Sequence, residues 1–161
     1  MRSPHLSAAV ILAALAMSAT AARADTFAPG SLIIPMDTTY QDNGMFKAFG
    51  LVYDLLRHNV PVRWVIRQGK AAGGVDFTAT AKDFKSGQVL ASHGYRGGPW
   101  VIDAADAAAA RPFITAWQAA NVTTVHEAVV AFEGDVARLL VVAPTIAMFA
   151  DGNQKIARTY V

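Results

Sequence analysis

Three consecutive segments decide how the fold is read: SLIIPM from Ser31 to Met36, MFKAFGLVYDLLRH from Met45 to His58, and VRWVI from Val62 to Ile66. The first is an unbroken apolar run between Gly30 and Asp37, the pattern of a short strand buried on both faces. In the second, Met45, Phe49, Val52 and Leu56, with Ala48 and Leu55 beside them, recur at helical spacing. Asn59 ahead of Pro61 supplies a left-handed stop. The third is again a buried-strand run. A strand, helix, strand unit of this length predicts a parallel pair joined by a right-handed crossover.

Beyond this unit the pattern is mixed. Val75, Phe77 and Ala79 alternate with Asp76, Thr78 and Thr80, and Lys85-Ser86-Gly87-Gln88 reads as a hairpin turn leading into Val89–Ser92. Residues 75–92 are therefore expected to form an antiparallel excursion. Pro99–Ile102 resumes the main sheet, and Asp103 is placed to cap a helix from Ala104 that Pro112 kinks or divides and Asn121 ends. Val122–Phe132, Ala137–Val142 and Ile146–Ala150 are further strand candidates, and Gln154–Val161 begins a helix. The fold class expected is α/β, a mostly parallel sheet flanked by helices, in one domain over residues 25–161. The amphipathic ending, with Ile156 and Tyr160 four apart, leads us to expect that the domain is incomplete and that a C-terminal continuation or a partner chain covers it.

The chain opens differently. Met1 and Arg2 precede the uncharged run LSAAVILAALAM from Leu6 to Met17, and Ala22-Arg23-Ala24 fits a signal-peptidase site. The run is shorter than the roughly 20 residues that a membrane-crossing helix requires. Residues 1–24 are thus expected to be a signal peptide cleaved after Ala24, delivering the product to the periplasm or the medium with no membrane attachment. Loss of Arg2 and Arg23 takes 14 basic residues to 12, against 12 acidic ones. The mature chain is near neutral and lacks the basic footprint of a nucleic-acid binder. With no cysteine it has neither disulfides, nor a thiol nucleophile, nor a thiolate metal site.

Three predicted strands end in aspartate, at Asp37, Asp103 and Asp151. On a parallel sheet these ends share one edge, where open α/β sheets bind ligands. Thr38, Tyr40, Asp42 and Asn153 add polar groups in the adjoining turns. Helix capping by the aspartates is the competing explanation. In Ser92-His93-Gly94-Tyr95-Arg96-Gly97-Gly98 the glycines would let backbone approach a ligand, and Arg96 could grip a carboxylate or phosphate bidentately. His93 is the histidine placed to work with an aspartate. No Gly-x-Ser-x-Gly turn, P-loop, Gly-x-Gly-x-x-Gly or His-x-x-x-His spacing is present, so no cofactor and no metal is expected.

The stretches GSLIIPMDTTYQDNGMFKAFGLVYDLL, VPVRWVIRQGK, GGVDFTA, HGYRGGPWVID and APTIAMFADGNQKIARTY together resemble the amino-terminal part of exported bacterial proteins with a class I glutamine amidotransferase-like domain. The resemblance implies an amidotransferase- or flavodoxin-like sheet. It does not imply glutaminase activity, because the Gly-x-Cys-x-Gly turn is missing and His126-Glu127 lacks the His-x-Glu spacing. Two functions follow as expectations. The first is a noncatalytic exported domain binding a small ligand, a glycan or a partner protein. The second is a hydrolase pairing a strand-end aspartate with His93, alone or with a metal held by carboxylates, and hydrogen-bond contact of His93 with Asp37, Asp103 or Asp151 would favour it.

Overall fold

The structure, a computed structural model, describes residues 24–41 and 45–145. Eight strands and two helices follow one another as β1 (Ala24–Phe27), β2 (Leu32–Ile34), α1 (Met45–Arg57), β3 (Val62–Val65), β4 (Phe77–Asp83), β5 (Val89–Tyr95), β6 (Trp100–Ile102), α2 (Ala104–Ala120), β7 (His126–Ala128) and β8 (Phe132–Leu140). One sheet holds all eight strands in the order β1-β8-β3-β6-β2-β7-β4-β5. Every neighbouring pair in it is antiparallel. This corrects the expected mostly parallel α/β sheet and the amidotransferase- or flavodoxin-like architecture implied by the resemblance. The sheet is an antiparallel, curled half-barrel with two helices.

For β2 and β3 the error lies in adjacency, and for β6 it lies in direction. Both β2 and β3 are antiparallel to β6, which lies between them, so β2-α1-β3 does join strands of like direction without making them neighbours. In the same way β6-α2-β7 straddles β2. The two interlocked units have the connectivity of the doubly split β-α-β motif. The β4–β5 hairpin is inserted between its halves and pairs with β7 at one side, while β8 and β1 extend the other. Residues 75–92 are consequently one edge of an antiparallel sheet, not an excursion from a parallel one.

The apolar runs misled because both faces of the central strands are buried for another reason. Leu32, Ile34, Val62, Trp100 and Ile102 pack beneath Leu51, Leu55, Ala110 and Ile114 of the helices. Their alternating neighbours Ile33, Val65 and Val101 face a second core with Phe27, Phe77, Tyr95, Ala128 and Phe132. That core belongs to the sheet alone. Phe27 on β1 stacks on Phe132 at 5.0 Å, Phe132 on Phe77 of β4 at 4.8 Å, and Phe77 on Tyr95 of β5 at 5.0 Å. An aromatic stack thus runs across the concave face between strands far apart in the sheet order, each pair contributing about 0.5–1.5 kcal/mol beyond its burial. Gly134 on β8 permits this closure, since a Cβ there would stand 2.7 Å from Val65 Cγ1.

Local signals were followed where the chain alone governs them. Helix α1 occupies its expected place, and Asn59 after it has φ 58°, the left-handed stop. Helix α2 passes through Pro112 without dividing and ends at Asn121. Asp103 stands at its N-cap position but makes no side-chain cap; the Ala104 amide donates to Ser31 Oγ at 3.1 Å instead. Val122–Phe132 is broken into β7 and the start of β8, with Val129 and Val130 exposed in the turn. Strand β1 went unread. The predicted strand Ile146–Ala150, the predicted helix from Gln154 and residues 1–23 of the predicted signal peptide lie outside the described residues, while its last residue, Ala24, begins β1. Among those described, no helix is long and apolar enough to cross a membrane.

Candidate functional site

Chemistry-bearing groups converge at the end of the sheet where β2 leaves toward Asp37. Strand alternation puts His93 and Tyr95 of β5 on one face, and Tyr95 belongs to the concave core. His126 enters the same region from β7, in register with Ile33 of β2 and Asp83 of β4. The turn after β2 supplies Asp37 and Tyr40. Gln41 anchors that turn: it is buried, its Nε2 donates to the Thr124 carbonyl at 2.8 Å, and its Oε1 accepts from the Thr124 amide at 3.1 Å. The Thr124 hydroxyl donates to the Tyr40 carbonyl at 2.7 Å.

The loop from β5 to β6 is held with equal care. The Gly98 amide donates to Asp76 Oδ2 at 3.0 Å, while its carbonyl accepts from Trp64 Nε1 at 3.0 Å. Gly97 adopts φ 77° and lies so close to the Met36 carbonyl that a Cβ would stand 2.7 Å from it. Only glycine fits a left-handed backbone at that approach. Arg96 and Asp37 thereby stand on the wall of one cleft.

Asp37 and His93 are bonded, with His93 Nε2 3.2 Å from Asp37 Oδ2. The other carboxylate oxygen accepts from the Thr39 amide at 3.1 Å. Both oxygens of Asp37 are engaged, so the imidazole is oriented by a carboxylate that is itself fixed. Tyr40 places its ring between two histidines, edge-on to His93 at 4.8 Å and to His126 at 4.5 Å. Behind them Tyr95 Oη lies 2.8 Å from His126 Nδ1. This inner pair is sealed from solvent. Burial pushes the Tyr95 hydroxyl well above the usual phenol range, with the nearby Tyr40 and Asp37 adding to the rise, so Tyr95 keeps its proton. Burial also lowers His126 to about 4, outweighing the Asp83 charge that favours its protonated form. Asp83 itself is raised by burial but lowered further by the Ser86 amide and hydroxyl, His126 and the Lys85 amide, and the net shift is downward.

Asp37, Thr38, Thr39, His93, Gly94 and Arg96 line an open cleft of about 290 Å³. A larger cavity of about 370 Å³ lies beside Asp83, Lys85 and the C-terminal end of α2. Volume does not make it the better site: Gln118 Nε2 there is already spent on the Thr123 carbonyl, and Asp83 Oδ1 on the Lys85 and Ser86 amides and the Ser86 hydroxyl. Among the described residues no group of three metal-binding side chains converges.

Of the residues singled out from sequence, Asp37, Thr38, Tyr40, His93 and Arg96 come together. Asp103 does not join them. Because β2 and β6 are antiparallel, with Leu32 opposite Ile102, the chain leaves β6 at the end where it enters β2. Asp103 there pairs with Arg63 at 3.2 Å. Asp42, Asp151 and Asn153 lie outside the described residues. Sequence reading did not place Tyr95, His126, Gln41 and Thr124 in the site; the two-residue spacing of His93 and Tyr95 on a strand was the available signal for the first. Comparison with protein-family models, curated proteins and solved structures finds no match for this chain.

Proposed function

We propose that this is an exported ligand-binding domain whose working site is the cleft between Asp37–Thr39 and His93–Arg96. The observation that carries the reading is the convergence, in one cleft of about 290 Å³, of polar groups from segments more than 50 residues apart, each held by its own buried supports. The volume suits a small molecule, at the lower end of the range of about 300–1,000 Å³ for ligand sites. Export rests on the Leu6–Met17 apolar run and the Ala22-Arg23-Ala24 site. The mature chain then begins at Asp25, inside strand β1. Intact mass of the protein recovered from the periplasm should correspond to that start, and a retained leader would refute export.

The Asp37–His93 bond supports a second reading, hydrolysis. An imidazole oriented through Nε2 keeps Nδ1 for a water molecule, as a general base requires. One variant separates the readings. His93→Ala should weaken capture of small-molecule fragments at the cleft about tenfold or more, seen by NMR shifts of the Thr38 and Gly94 amides. If the wild type instead turns over p-nitrophenyl esters, and the variant loses that turnover by a factor of about 100 or more, the domain is an enzyme. Unchanged fragment binding and no turnover would dismiss the site altogether.

A further inference from the structure

We infer that the ligand of this cleft carries a single carboxylate, received by the Arg96 guanidinium beside the Thr38 and Thr39 hydroxyls. The inference rests on the cleft being the binding site and adds the chemical class. Its first support is the state of Arg96. Five N–H donors in a planar fork are matched to a carboxylate. Arg63, Lys70, Lys82 and Arg111 are spent on Asp103, Asp76 and Glu127, whereas Lys47, Arg57, Arg67, Lys85, Arg96 and Arg138 make no ion pair with a described residue, and of these Arg96 is the one at this cleft. Among the described residues Arg96 has no acidic partner, yet it lines the cleft.

Its second support is the state of Asp37. Among the described residues this is the one acid of the cleft wall, and its two oxygens already accept from Thr39 and meet His93. A cationic ligand would have to compete with both contacts. An anion leaves them intact and finds, in Arg96 and the threonine hydroxyls, donors that have no acceptor among the described residues. The net charge chooses between anions. Among the described residues the wall carries one arginine and one aspartate and is neutral in sum, so a singly charged carboxylate costs less to bring in than the nearly doubly charged phosphate monoester. A bidentate carboxylate on Arg96 is the match.

The glycines of the loop fit the same picture. Gly97 presses against the Met36 carbonyl in a left-handed conformation, and Gly98 is tied on both sides by Asp76 and Trp64. Arg96 is thereby carried on a braced turn rather than a free loop, so less freedom is lost when its side chain closes on a ligand.

The test is a titration of the purified protein with lactate, inorganic phosphate, glucose and ammonium, read by NMR at the Thr38, Gly94 and Arg96 amides. Lactate should shift these amides saturably, with at least tenfold tighter binding than phosphate. Arg96→Ala should weaken lactate about tenfold or more, Arg96→Lys should recover only part of it, and Arg138→Ala on β8 should leave it unchanged. Phosphate binding as tight as lactate, or Arg96→Ala without effect, overturns the carboxylate assignment. Shifts with glucose or ammonium but not lactate also overturn it while keeping the cleft as a binding site. Silence of the cleft amides toward every probe overturns both.

Discussion

Replacing Asp76 by alanine should destabilise the protein by about 3–5 kcal/mol, the usual loss when one partner of a buried pair is removed. The Asp76 carboxylate is fully buried. It accepts from the Arg67 amide at 2.9 Å and the Gly98 amide at 3.0 Å, and it pairs with Lys70. Alanine would strand two amide donors and leave an ammonium with less than a fifth of its side chain exposed facing no counter-charge. Asparagine keeps an acceptor but not the charge and should cost about half as much. Urea denaturation followed by circular dichroism measures both variants. A loss below about 1 kcal/mol for alanine would mean that Lys70 and the two amides find water without strain. Since Gly98 is one of the strapped groups, Asp76→Ala should also loosen the turn carrying Arg96 and weaken the cleft.

Acid should destabilise the fold through His126, by about 3 kcal/mol once the pH has fallen to 4. Burial holds this histidine at about 4 in the folded chain, whereas it titrates near 6.5 when unfolded. Between those values the unfolded chain carries the proton and the folded chain does not. Stability is therefore complete above the unfolded value and is lost as the pH falls through this window. The folded chain resists the proton because His126 is only 1% exposed and packs against Tyr40 and Tyr95. His126→Gln removes the titrating group while keeping a polar side chain opposite Tyr95. It should be less stable than the wild type at pH 7 yet show a flatter decline between pH 6.5 and 4.5. Thermal melts across that range compare the two slopes, and parallel slopes would show that His126 is hydrated rather than sealed.

The candidate site was legible in part. Asp37 and Tyr40 were found because a polar turn follows an apolar strand, and His93 and Arg96 because glycines surround them. These are local signals, and the structure brings those four residues into one region. Asp103 was grouped with Asp37 only through the assumption of a parallel sheet, and reversing the direction of β6 relative to β2 sends it to the other end. His126 and Thr124 were not found, because their roles arise from pairing of β7 with β2 and from a clamp spanning 83 residues. No spacing within a segment encodes either.

The sequence by itself determined the helix from Met45, its left-handed stop at Asn59, the hairpin turn near Gly87, and which strands carry apolar residues on both faces. Each depends on the periodicity or backbone preference of a few neighbouring residues, which act wherever the segment lies. Only the tertiary structure decided that β6 would sit between β2 and β3, and that the second face of the strands would be covered by the curling sheet rather than by more helices. A run such as Leu32-Ile33-Ile34 is equally satisfied under a helix or against Phe27, Phe77 and Phe132, since burial of apolar area is without direction. The aromatic stack across the concave face and the close approach allowed at Gly134 selected the second arrangement.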